Sequence, residues 1–301
     1  MSSPARHQRR FDGHAAAAFL PLLALFPAWL IAVAAIWWVA ARAWWTPFPL
    51  FAAAVFATGV ALFLRPVQRI VLTRLLGARA PTRIENDALQ RAWRVVAQAN
   101  HIPPGRFVLA VVDSDDLNAF ASGGHLVVVS SWAVANLDHE RLCGVLAHEL
   151  SHHLGMHTVA LTIGQWLALP VILLAQVGFV LQNVADAAAG SFGARSQWGD
   201  AIGRTVAGLL TIVSWFFLAV IHGSQIIGNA VGKGAEFRAD ESVVTMGFGR
   251  QLRDALRLVI DRGLGERHDN WRDRLLTAHP PARTRVVRID AQLRRSATRD
   301  R

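Results

Sequence analysis

The stretch Val145-Leu146-Ala147-His148-Glu149-Leu150-Ser151-His152-His153 holds residue types that can do metal-assisted hydrolysis, at the spacing that chemistry needs. On a helix, residues four apart share one face, so the imidazoles of His148 and His152 can bind one tetrahedral metal ion. Glu149 then lies beside the open coordination position, where a carboxylate can act as general base. In 301 residues with 12 His, chance produces an HExxH match only about 0.01 times, so the signal is strong. The motif needs a buried helix, and Leu142, Val145, Leu146, Leu150 and Leu154 recur at helical spacing. Asp138 can cap the start of that helix, and Gly155 follows its end. Cys143 is the single cysteine, which excludes an internal disulfide and suits a reducing compartment. Its offset of five residues from His148 turns it off the metal face, so it reads as a small core residue.

The elements that must position this motif belong to a membrane protein. The chain is 53% hydrophobic and only 17% charged, unlike a soluble domain. Its net charge of +10 comes almost wholly from arginine, since Lys233 is the one lysine. Without a recognition motif to accompany that charge, anionic lipid is the expected partner and nucleic acid is not.

Residues 1–14 carry Arg6, Arg9 and Arg10, and the 27 residues from Ala15 to Ala41 are uncharged. This run is too long for a signal-peptide core and ends in Trp37-Trp38 and Trp44-Trp45, as interfacial anchors do. A second apolar run, Leu50 to Leu64, follows the turn at Pro47 and Pro49, which predicts an N-terminal transmembrane hairpin over residues 1–64. Arg65, Arg69, Arg74, Arg79 and Arg83 come next, against Arg42 alone in the loop between the spans. The positive-inside rule therefore predicts a multi-pass protein of the inner (plasma) membrane with its termini and catalytic domain in the cytoplasm.

A capping box at Thr82 and Glu85 predicts a helix over 83–99, ending before Pro103-Pro104. Phe107–Val112 and His125–Ser130 read as strands, with a short strand at Asn118-Ala119-Phe120-Ala121 between them. Two more uncharged runs, Thr158–Ala185 and Thr205–Gly232, predict a second transmembrane hairpin over residues 158–232, with loop 186–204 outside. Pro170 is expected to kink the third span. The fold class expected is a mainly α membrane protein with four transmembrane helices and a discontinuous α+β zincin-like peptidase domain. That domain comprises residues 65–157, with a small sheet and the HExxH helix, and residues 233–301. An insertion of this kind needs adjacent ends, which brings residue 233 onward close to the metal helix.

A catalytic zinc takes three protein ligands and keeps one position open. The third is therefore sought in Glu236-Phe237-Arg238-Ala239-Asp240. On a helix Glu236 and Asp240 share a face, so Glu236 can bind the metal while Asp240 accepts a hydrogen bond from a ligand imidazole and fixes its tautomer.

HELSH, two apolar spans and then EFRAD resemble the integral-membrane gluzincin peptidases of the HtpX heat-shock protease and CAAX prenyl protease family. Three more stretches agree: the NAFA segment Asn118–Ala121, the lead-in Val145-Leu146-Ala147, and the late motif His279-Pro280-Pro281 with Arg285. The resemblance runs from about residue 65 onward, and the paired N-terminal spans suit the HtpX branch. Ala278 departs from the Ser or Thr expected before the His-Pro pair.

The resemblance implies an endopeptidase holding one Zn2+ per chain. It implies that Asn118, Ala119, Phe120 and Ala121 bind extended substrate by edge pairing, and that His279 or Arg285 stabilises the reaction oxyanion. Glu149 would take a proton from water and pass it to the leaving amine. His153 and His157 are read as non-ligands. The expected substrates are polypeptides, above all membrane or misfolded proteins, in a quality-control role. Two competing readings are a narrow-specificity maturation protease of the CAAX prenyl type, and a catalytically inactive zinc-binding membrane scaffold. Glu149 speaks against the scaffold, because a structural site has no use for a carboxylate that is not a ligand.

Overall fold

A computed structural model of the chain describes residues 19–41, 45–155, 157–192, 197–263 and 280–299. The N-terminal arginines Arg6, Arg9 and Arg10 lie outside them, as does His279. The fold is mainly helical, with one small mixed sheet. Among the described residues the chain divides into two compact units, one within residues 60–162 and 229–301, the other within residues 19–59 and 163–228.

In the second unit, α1 (Leu20–Ile36) packs Leu22, Leu25, Trp29 and Val33 against Leu167, Val171 and Ala175 of α7 (His157–Phe192) and against Phe217 and Ile221 of α8 (Gln197–Thr245). The outward faces of α7 and α8 carry Leu169, Leu173, Val180, Leu209, Ile212 and Trp215, all exposed. A surface this apolar suits acyl chains rather than water. Loop 186–204 was expected between these helices, but α7 runs to Phe192 and α8 starts at Gln197. Pro170 lies within α7.

The expected count of four spans is met only in part. Three helices among the described residues are long and apolar enough to cross a membrane: Leu20–Val39, Thr158–Val184 and Gly203–Ser224. The expected second span, Leu50–Leu64, is instead the 14-residue helix α2 (Phe48–Ala61), followed by α3 (Arg65–Leu75) after a bend of 74°. Fourteen residues rise only about 21 Å, short of a hydrocarbon layer of about 30 Å. Only if the bent pair counts as one span does the number reach four. The break follows from Pro66, which suits the first turn of a new helix, and Leu64 before it is extended.

In the first unit the strands are β1 (Ala78–Arg79), β2 (Val108–Val112), β3 (Ala119–Ser122) and β4 (Leu126–Ser130), in the order β1-β2-β4-β3. β2 and β4 are parallel; β1 and β3 are antiparallel to their neighbours. Side chains alternate across the sheet as a period of two requires. Leu109, Val111, Val127 and Val129 face one core with α4 (Arg83–Ala99), α6 (His139–Leu154), α9 (Gly249–Asp261) and α10 (Ala282–Arg299). Ala110, Phe120, Leu126 and Val128 face the other core, under Leu72 of α3. A short helix, α5 (Ser131–Asn136), joins β4 to the metal helix.

Local signals explain the helix ends. Thr82 and Glu85 form the capping box, with the Thr82 N–H donating to Glu85 Oε2 at 2.7 Å. Asp138 caps α6 by accepting from the Arg141 N–H at 2.8 Å. Gly144 lets α9 approach α6 closely, because a Cβ there would lie 2.7 Å from the Leu252 Cα.

Candidate metal centre

α6 is buried from Leu142 to His153, so its polar side chains must find partners inside the protein. They find them on the end of α8 that belongs to the first unit. His152 Nε2 lies 3.0 Å from Glu236 Oε1, His148 Nε2 lies 3.3 Å from Glu236 Oε2, and the two Nε2 atoms are 3.2 Å apart. Zinc bonds of about 2.0–2.1 Å at the tetrahedral angle would separate ligand atoms by about 3.3 Å. The two imidazoles meet that spacing with each other and each with one of the two Glu236 oxygens, and one ligand atom from each residue lies within 4.8 Å of the others. Glu149 Oε2, on the same helix and buried, has no hydrogen-bond partner among the described residues. An orphaned carboxylate oxygen beside such a donor set is what an open coordination position with a water would satisfy. The residues present therefore fit a zinc ion.

Asp240, 1% exposed, lies one turn beyond Glu236 and accepts from His148 Nδ1 at 3.1 Å. This leaves Nε2 of His148 to face the metal position. Arg285 of α10 closes the group: its Nε and Nη2 donate to the two Asp240 oxygens at 3.0 and 2.7 Å. Nη2 is also 3.2 Å from His148 Nε2, and Nη1 is 3.9 Å from Glu236 Oε2. Burial pulls the proton affinity of His148 down and the Arg285 charge works the same way, but Asp240 and Glu236 outweigh both and raise its pKa to about 9. Burial raises the Asp240 carboxyl, yet Arg285 and His148 overcome it and hold the pKa down at about 2. The carboxylates thus make the ligand set a place that stabilises positive charge.

The structure brings His148, Glu149, His152, Glu236, Asp240 and Arg285 into one neighbourhood. Arg285 was expected as an oxyanion donor, and its guanidinium is engaged with Asp240. Ala119–Ala121 fall on β3, which pairs only with β4 among the described residues and packs on α6. Asn118 immediately precedes that strand, and its backbone N–H donates to Ser130 Oγ at 3.1 Å. Cys143 is buried, with Sγ 3.7 Å from the Ala92 carbonyl oxygen and its thiol pushed up to about 11 by burial. His153 reaches the Leu126 carbonyl at 3.0 Å, a contact the sequence reading did not identify. The signal was present, since a second histidine beside His152 in a wholly buried turn must have a polar partner.

Two helices that aim two imidazoles and a carboxylate at one point, with a free carboxylate oxygen alongside, are equipped as a metallopeptidase, and the apolar helices make it a membrane protein. Residues 83–293 match the profile of Peptidase family M48, and the chain belongs to that family. Protease HtpX of Nitrosococcus oceani is 27% identical over 81% of this chain and 84% of its own length. The Protease HtpX homolog of Thermodesulfovibrio yellowstonii is 26% identical over 81% of this chain and 88% of its own. The crystal structure of S. mikatae Ste24p aligns with a TM-score of 0.49 at 17% identity, covering 88% of this chain; the chain spans 62% of that protein's length.

Proposed function

We propose that the protein is a zinc endopeptidase that cuts polypeptides presented as extended strands along β3, in an HtpX-like role on membrane or misfolded proteins. The observation that carries this reading is the convergence of His148, His152 and Glu236 beside the orphaned Oε2 of Glu149. Those three residues would hold the ion, and zinc when bound supplies Lewis-acid polarisation of water and of the scissile carbonyl. Glu149 accepts a proton from the attacking water and returns it to the leaving nitrogen. Asp240 holds the His148 ring in orientation, and Arg285 holds Asp240. Arg285 Nη1, which is not among the nitrogens bonded to Asp240, supplies a donor toward the developing oxyanion, with His279 as the other candidate. β3 offers its unpaired edge to the substrate backbone, so affinity comes from main-chain hydrogen bonds and is tolerant of sequence.

The arginines of α3 and of residues 233–301 support a catalytic domain on the cytoplasmic side of the inner membrane. The test is cleavage of an unfolded membrane-protein substrate in proteoliposomes by wild type and Glu149→Gln. Loss of cleavage with zinc content unchanged is expected. Cleavage by the variant at the wild-type rate overturns the assignment of Glu149 as base.

A further inference from the structure

The turn between β3 and β4 is tied to the metal helix and to the first turns of the helix after it. His153, which follows the ligand His152, is 1% exposed. Its Nε2 lies 3.0 Å from the Leu126 carbonyl oxygen, and its Nδ1 lies 3.3 Å from the Thr158 hydroxyl. A carbonyl can only accept, so the proton sits on Nε2 and Nδ1 accepts from Thr158: one neutral tautomer satisfies both contacts.

On the other side of the turn, the Gly123 N–H donates to Thr162 Oγ1 at 2.8 Å, and the Thr162 hydroxyl donates to the Thr158 carbonyl at 2.8 Å. Thr158 and Thr162 are buried, so these bonds stand where water cannot replace them. Gly123 has a φ of +60°, and a Cβ there would come within 2.6 Å of Gln68 Nε2, so only glycine fits the turn. Apolar residues at 153, 158 and 162 would fill the same space without the desolvation that these polar groups incur. What the polar groups add is direction: two bonds fix where the hairpin sits along the helix.

We propose that His153, Thr158 and Thr162 are positioning residues that set the register of β3 against the HExxH helix, and through it how tightly the extended substrate pairs along that strand. The proposal rests on the reading of β3 as the substrate-binding edge.

The test uses the full-length, zinc-loaded protein in lipid nanodiscs with an unfolded polypeptide substrate. Thr162→Val keeps the shape and strands the Gly123 N–H. It should raise KM about tenfold, equivalent to about 1.4 kcal/mol, with kcat within about twofold and zinc content unchanged; Thr162→Ser should restore KM. His153→Leu should raise KM in the same way. A fall in kcat at constant KM, or loss of zinc in Thr162→Val, overturns the proposal, because the residue would then serve the metal helix rather than the strand. A benzophenone side chain at Ala121 in the Glu149→Gln background separates the two readings. Substrate captured at position 121 together with an unchanged KM in Thr162→Val overturns the positioning role alone. No capture at 121 overturns the reading of β3, and the positioning role with it.

Discussion

Asp240→Asn keeps the size of the side chain, removes its charge and gives it an N–H2 group where both neighbours donate. In the native site its oxygens accept from Arg285 at 2.7 and 3.0 Å and from His148 at 3.1 Å. Arg285 is only 5% exposed, so the variant leaves a guanidinium buried without its carboxylate. Breaking a buried pair by removing one partner costs about 3–5 kcal/mol, which in a domain of this size lowers the melting temperature by on the order of 10 °C. The metal should suffer separately, because the Asn oxygen can still accept from His148 but no longer carries the charge that strengthens a ligand imidazole, and changes of that kind weaken metal affinity by about 10–100-fold.

A second change distinguishes the two effects. Asp240→Asn with Arg285→Leu removes both members of the pair, so stability should largely return, whereas zinc affinity should stay weak because the neutral Asn oxygen that His148 Nδ1 then meets lacks the charge that makes the imidazole a better donor to zinc. The assays are thermal unfolding in detergent and competition for zinc with a chelator of known affinity. Stability within about 0.5 kcal/mol of wild type for Asp240→Asn, with superimposable zinc curves, would refute the reasoning.

Gly144→Val should destabilise the first unit by about 1–3 kcal/mol through overpacking, because its side chain meets the backbone of α9 and not a movable side chain; unchanged thermal unfolding would contradict that contact. Glu85, whose pKa its hydrogen bonds to Arg79 hold at about 2 against an ordinary 4.5, contributes stability that is fully present above pH 4.5 and is lost as pH falls toward 2. Arg79→Gln should therefore be less stable than wild type by about 1 kcal/mol at pH 7 and should converge with it at the acid end of a denaturation series. The exposed side of α3 carries Ile70, Val71 and Leu75 with Arg69 and Arg74, while Leu72 packs beneath the sheet. Nitroxide labels at 70 and 75, after Cys143→Ser, should be relaxed by a lipid-soluble quencher at headgroup depth in anionic vesicles; labels relaxed only by an aqueous quencher would remove α3 from the interface.

Local chemistry made part of this molecule legible in the sequence. Thr82 with Glu85, and Asp138 three residues before Arg141, marked helix starts because a cap is a contact between neighbours in sequence. The ligands His148 and His152 were legible for the same reason, since helical spacing alone puts them on one face. Glu236 was reached only by chemical need, because nothing local ties it to a helix that ends at Leu154. The strands at Val108–Val112 and Leu126–Ser130 followed from their β-branched runs, but their parallel pairing, with β3 outside them, depends on non-local packing.

The membrane reading is met in part, because composition is silent on geometry. Residues 43–64 are uncharged throughout, yet the helix ends at Ala61 and restarts at Arg65-Pro66, and Leu72 of the new helix covers the sheet. The pairing of Arg285 with Asp240 spans 45 residues, and spacing in the sequence cannot reveal it.

The proposed chemistry needs one metal held by His148, His152 and Glu236 with Glu149 beside it. Zinc per chain, measured on protein purified and dialysed against a weak chelator, tests it most directly. Wild type and Glu149→Gln should each retain one zinc, and Glu236→Ala should retain little or none. Equal zinc in wild type and Glu236→Ala would contradict the account.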